Sequence, residues 1–254
     1  MLRHATMFLF TAALVGPTTA LWPRPLQAVE ADGHWHQELT EDGIAVSMMN
    51  EEGRGLPAFR GVATVDWNLF EVLGMLDDAK RATEWMANCI DNRVVKQVNE
   101  FDRIIYNRTD APWPVSDRDV VLAVTVTSDI EKREVAITFK SITWPGLGPV
   151  DGVVRMPKLK GHYKLQAIDL SHTRVTYQID ADPGGMLPDW LVTRASRRLP
   201  IETIAGMRKQ LKKTAGKYEE FVKRYDPTKG GKIPDQFARS QGTAPGNAPG
   251  QDQP

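Results

Sequence analysis

From residue 43 to residue 181 the chain is mostly short runs of alternating or β-branched residues, and one long helical stripe follows them. That order constrains the fold more than any other feature. Residues 43–48 and 59–65 read as strands, because side chains alternate faces along an extended chain. Asp66 is the expected N-cap of a helix carrying Leu69, Val72, Leu73 and Leu76 at helical spacing, and a second short helix fits 80–90. Strand patterning resumes at 93–98, 103–108, 118–127, 134–142, 153–156 with 161–168, and 173–181. Ile201, Ile204, Met207, Leu211, Tyr218 and Val222 then form one apolar stripe, and Pro200 is expected to separate a short helix over 188–199 from the long one. Strands joined by short turns favour an antiparallel sheet, and the closing helix is the element long enough to cover its apolar face. The expected class is therefore α+β, a helix-grip in which a curved antiparallel sheet wraps around a long C-terminal helix. Periodicity leaves open whether a cavity remains between them.

The ends of the chain read differently. Met1 to Ala31 has a charged start, an apolar run too short to span a bilayer comfortably, and then small residues, the order of a signal peptide. Cleavage is expected after Ala31, with Ala20 and Ala28 as alternatives, and an uncleaved membrane anchor is the other reading. Either places the protein outside the cytoplasm, in a periplasm or equivalent space. Residues 33–225 make one domain, and 226–254 should be disordered, being rich in Gly, Pro, Gln and Asn. Cys89 is alone, so no disulfide can form within the chain, and it is expected as a buried thiol on a helix.

A net charge of zero argues against nucleic acid as a partner. The charge is unevenly spread. Residues 187–225 hold 10 Lys and Arg against 4 Asp and Glu, whereas residues 32–186 hold 17 against 24. Arg194, Arg197, Arg198, Lys209, Lys212 and Lys213 on the basic segment could meet an anionic membrane surface, although a solvated helix face explains them too.

Three segments carry a resemblance. They are Ala111–Val121 (APWPVSDRDVV), Trp144–Arg155 (WPGLGPVDGVVR) and Asp182–Leu191 (DPGGMLPDWL). In this order and spacing they resemble the START (steroidogenic acute regulatory-related lipid-transfer) family, most of all its phosphatidylcholine-transfer-protein-like members, over about residues 35–224. The resemblance implies one lipid held in an internal tunnel, with the final helix and the glycine-rich loop as a gate. Trp144 and Leu147 are the gate-loop candidates, either packed on the final helix or inserting at a membrane surface.

Alternation places Val120, Leu122 and Val124 on one face of their strand, as it does Ile137 with Phe139, and Tyr177 with Ile179. With the resemblance these become cavity-wall candidates, joined by Trp190, Ile204, Met207 and Leu211 on the closing helix. Ordinary core is the alternative for each. Tyr106, Tyr163 and Tyr177 are candidates to orient a polar group, because a phenol packs and still hydrogen-bonds. Arg118 and Asp119 are a candidate polar anchor, with a structural ion pair as the other reading. Several members of the family carry a further arginine six residues beyond the Arg-Asp arginine, where this chain has Val124. Sterol-like or fatty-acid-like ligands are therefore expected ahead of a phospholipid held in the usual way.

No Gly-x-Ser-x-Gly elbow, phosphate loop or dinucleotide fingerprint occurs, and no cofactor or metal is expected. His34 and His36 have no Cys or nearby His to complete a metal site. The leading reading is a monomeric, non-enzymatic lipid carrier or sensor with transient membrane contact. The alternatives are a polyketide aromatase or cyclase on the same scaffold, and a ligand-free interaction module.

Overall fold

A computed structural model describes residues 35–50 and 56–233; the expected signal peptide, His34 and residues 234–254 lie outside this range. Ten strands form one sheet. They are β1 (Trp35–Glu41), β2 (Ile44–Met49), β3 (Ala58–Val65), β4 (Cys89–Gln97), β5 (Arg103–Thr109), β6 (Asp117–Asp129), β7 (Glu134–Ser141), β8 (Val153–Arg155), β9 (Lys158–Ala167) and β10 (Thr173–Asp182). Their order is β1-β2-β3-β10-β9-β7-β6-β5-β4, antiparallel throughout, with β8 added in parallel beside β6. The helices are α1 (Leu69–Asp77), α2 (Asp189–Lys213) and α3 (Glu219–Tyr225). The helix-grip arrangement expected from the patterning is what forms.

Several boundaries moved for local reasons. The cap of α1 is Asn68, not Asp66. Its side chain accepts from Phe70 N at 2.7 Å, and its own N–H donates to Glu71 Oε2 at 3.2 Å, a reciprocal capping box. The helix expected over 80–90 is only a 3-10 segment, Ala79–Glu84. Asn88 then takes a positive φ of 55° and turns the chain into β4, so Cys89 lies on a strand. β1 was not expected; its Trp35 is buried beneath the Arg60 guanidinium, 4.3 Å from the ring centroid.

The two largest corrections concern the closing helix. α2 runs unbroken through Pro200. The proline ring sits against β3 where Gly61 has no side chain; a Cβ there would lie 2.6 Å from Pro200 Cβ. Tertiary packing thus holds the helix through a residue that removes one of its own hydrogen bonds. The stripe does end early: Val222 belongs to α3 and Tyr218 to its N-cap, not to α2. The segment expected to be disordered from residue 226 is folded at its start. Asp226 is buried, accepts from Asn68 Nδ2 at 3.1 Å, and caps a 3-10 turn over Pro227–Lys229. None of the described helices is long and apolar enough to cross a membrane.

Past Pro200, α2 is pressed onto the sheet. Ile204, Met207 and Leu211 are 0–2% exposed and share one core with Phe59, Leu73 and Leu165. Burying each stabilises the fold by roughly 1.5–3 kcal/mol. The approach is close: a Cβ on Gly206 would lie 2.0 Å from the Trp85 carbonyl oxygen, so only glycine fits there.

Candidate functional site, an apolar cavity under the closing helix

Before Pro200 the same helix stands off the sheet and leaves a cavity of about 370 Å³. This lies within the ~300–1000 Å³ range of small-molecule sites. Register shows how the floor is built. Ile105 faces Leu122, Val124 faces Phe139, and Ile137, Tyr163 and Tyr177 lie side by side across β7, β9 and β10. All of these line the cavity, with Ile179 next along β10. The aromatic members brace one another. The Tyr163 and Tyr177 rings stack at 4.7 Å, and the Trp85 ring meets Tyr163 edge-on at 6.4 Å. Burial raises both phenols above their ordinary pKa, so they stay protonated. The roof is Leu191, Val192, Ala195, Ser196 and Leu199 of α2.

Arg118 stands in the wall where β6 begins. Its Nη1 donates to the Ser116 carbonyl, its Nη2 reaches the Gly184 carbonyl at 3.5 Å, and its Nε is buried with no hydrogen-bond partner among the described residues. Burial pulls this guanidinium below its ordinary pKa. The rim near it is made by Pro112, Val115, Pro183 and Leu187. Trp113 and Met186 adjoin these residues in the chain, Trp190 adjoins Leu191 of the roof, and all three project outward, Trp113 at 93% exposure and Trp190 at 66%. The far wall carries polar groups: Asn107 Nδ2 donates to Asn92 Oδ1 at 3.1 Å and to Cys89 Sγ at 3.2 Å. The Cys89 thiol is pushed up to about 11, chiefly by burial.

Eight of the expected site residues therefore line one cavity: Leu122, Val124, Ile137, Phe139, Tyr163, Tyr177, Ile179 and Arg118. The others do not. Ile204, Met207 and Leu211 fill the solid core beyond Pro200, and Trp190 faces outward. Val120 is buried but lies outside the lining. Tyr106 pairs with Val121, which puts it on the opposite face of the sheet, under the Arg93 guanidinium at 4.4 Å. On that outer face Tyr106 shares a small apolar cluster with Ile104, Val121, Trp144 and Leu147. The expected gate loop is thus tied down away from the cavity. Arg155 donates to the Leu147 carbonyl at 3.2 Å and the Gly148 carbonyl at 3.1 Å, while gripping Asp119 through two bonds of 2.6 and 3.0 Å. Asp119 is therefore a structural partner of Arg155, and Arg118 alone remains at the cavity.

The basic helix face is also partly spent within the molecule: Arg198 pairs with Glu41 at 2.7 Å and Lys213 with Glu84 at 2.6 Å. Residues missed from the sequence include Trp85, Asn107, Thr203, Leu191 and Leu199. The proline-rich and Pro-Gly-Gly segments held the rim in plain view, whereas nothing in the patterning pointed to Trp85. Among the described residues no group of His, Cys, Asp and Glu is placed to hold a metal.

An antiparallel sheet closed by one helix over an apolar void defines a protein built to enclose a hydrophobic molecule. A family model for the START domain matches residues 26–217. An uncharacterized protein of Pseudomonas aeruginosa, PA1579, is 31% identical over 179 residues, covering 70% of this chain and 87% of that protein. Human phosphatidylcholine transfer protein is 23% identical over 178 residues, covering 67% of this chain and 80% of the relative. Among solved structures, the STAR-related lipid transfer protein fragment from Xanthomonas axonopodis superimposes with a TM-score of 0.65 at 30% identity, over 70% of this chain and 99% of the fragment. The chain belongs to the START domain family. START domains bind lipids or other hydrophobic ligands.

Proposed function

We propose that the protein holds a single lipid in this cavity and carries or senses it outside the cytoplasm, without performing chemistry on it. The observation that carries the reading is the void itself, walled by Leu122, Val124, Ile137, Phe139 and Ile179 and roofed by the first half of α2. Its ionisable side chains are few. Asp78 is held by Arg81 at 3.5 Å, Asp110 is exposed, both tyrosines are kept protonated by burial, and Arg118 is fixed by backbone carbonyls. None of these is poised as an acid–base pair, which disfavours a cyclase. Arg118, with a donor to spare, is the anchor for an acceptor oxygen of the lipid head. Val124 adds an apolar wall, which favours sterol-like or fatty-acid-like ligands over a phosphodiester. Native mass spectrometry of the purified protein should show one lipid bound per chain. An empty protein that also fails to take up a fluorescent fatty acid would remove the reading, and dominant diacyl phospholipid would remove the ligand preference.

Exposed Trp113, Met186 and Trp190 around the rim support a transient contact with a membrane while the ligand crosses, since tryptophan favours the membrane–water boundary. Replacing Trp113 and Trp190 together by alanine should slow transfer between vesicles several-fold while leaving equilibrium binding unchanged; unaltered transfer would sink this part. Export rests on the patterning of residues 1–31. Mass spectrometry of the mature N-terminus in a secreting host should find cleavage near Ala31, and an intact cytosolic chain would contradict it.

A further inference from the structure

Besides Arg118 Nε, the cavity wall contains two buried polar groups that the fold leaves unused. Trp85 Nε1 and Thr203 Oγ1 have no hydrogen-bond partner among the described residues, and both residues stand in the wall. Trp85 is 7% exposed and Thr203 is 0%. Folded proteins seldom leave such a group unsatisfied, because its lost bonds to water are not replaced. A threonine inside a helix has a ready remedy, which is to donate to the carbonyl one turn back. Thr214, at the end of the same helix, does this with Gln210 O at 2.8 Å. Thr203 does not.

The two residues come from chain segments that pack together. The backbone of α2 rests on the Trp85 carbonyl at Gly206, and Thr203 lies on the same helix face one turn earlier. Pro200 adds to the site, because it has no N–H to offer the Ser196 carbonyl, and Ser196 also lines the cavity. The wall near Thr203 therefore holds one O–H and one N–H donor, both enclosed, with the Ser196 carbonyl about two turns earlier on the same helix. A hydroxyl can donate and accept there, and a carbonyl oxygen can accept from both donors. This patch is remote from the mouth: from Asp189 to Thr203 the helix rises about 21 Å at ~1.5 Å per residue, and Arg118 lies at the Gly184 end.

We propose that the inner end of the cavity is an oxygen-binding site. It selects lipids that carry a hydroxyl or carbonyl oxygen on the end opposite the head. The inference rests on the carrier reading and deepens it. Charge recognition at Arg118 sets which end of the ligand faces out, and Trp85 with Thr203 sets what the buried end contains.

The test uses the full-length protein and displacement of a fluorescent polyene fatty acid by a series of ω-hydroxy fatty acids of increasing chain length, each compared with its plain counterpart. At one chain length the hydroxy acid should bind better than its counterpart. Thr203→Val and Trp85→Phe should each cut that preference by about three- to tenfold, the preference being the ratio of hydroxy to plain acid within each variant, with folding of each variant checked by circular dichroism. A preference that both variants leave intact, or no preference at any length in the unaltered protein, overturns the inference while the carrier reading stands. Failure of every acid to displace the probe overturns both.

Discussion

The two halves of α2 have the same backbone and opposite jobs. From Ile201 to Leu211 the inner face is buried against the sheet and Trp85, with Ile204, Met207 and Leu211 almost wholly hidden. From Asp189 to Leu199 only Val192 is buried, and the inner face looks onto a void. The contact of Pro200 with Gly61 marks the change. A helix clamped at one end and unsupported at the other can hold the fold together while its free end yields to a ligand. Local stability follows buried apolar contact, so the two halves should differ in energy as well as in role.

Stability should show the largest difference. Met207→Ala removes a side chain from a filled core and should cost about 3 kcal/mol in urea unfolding, whereas Leu191→Ala in the roof should cost less than ~1 kcal/mol. Equal losses would mean that the roof is packed as tightly as the clamp. Next, amide hydrogens of 201–213 should exchange about a hundredfold more slowly than those of 189–199, and added ligand should narrow the gap. Uniform protection along the helix, with or without ligand, would erase the distinction.

A smaller effect concerns the short helix that follows. Burial and the Glu100 carboxylate raise the Tyr225 phenol to about 12, and burial with the Asp78 carboxylate raises Tyr218 to about 12. Each phenol donates to its carboxylate, Tyr225 to Glu100 at 2.6 Å and Tyr218 to Asp78 at 3.3 Å. A folded value above the unfolded one, near 10, means that the contribution is complete below pH ~10 and is lost as pH rises through about 12. Tyrosine absorbance should titrate there together with loosening of the α3 contacts, ahead of any loss of sheet signal. Ionisation at an ordinary pH would show that these bonds do not form. Smallest of all, Cys89, raised to about 11, should resist alkylation at neutral pH until the protein unfolds. Rapid labelling of the folded protein would contradict its placement on β4.

Much of the cavity wall is legible in the sequence. Alternation along β6, β7 and β10 put Leu122, Val124, Ile137, Phe139, Tyr177 and Ile179 on shared faces, and those faces do line the cavity. Tyr106 shows where this method stops. Its phenol looks as suitable as that of Tyr163, but alternation does not say which of two faces is the inner one. The register of β5 against β6 decides that, and it sends Tyr106 outward. Trp144 was misplaced for a related reason, since the outer face of this sheet has an apolar cluster of its own, and Asp119 took the structural of its two readings, as the ion-pair partner of Arg155.

Side-chain period and turn chemistry are local properties, and they were enough to specify strands, a terminal helix and the α+β class. Where that helix touches the sheet and where it stands away depends on Pro200 meeting Gly61 and on Gly206 meeting Trp85, contacts between residues far apart in the chain. A stripe of apolar residues reads the same whether it faces packed atoms or empty space. Only tertiary structure could separate Met207, in the filled core, from Leu199, in the roof of the void.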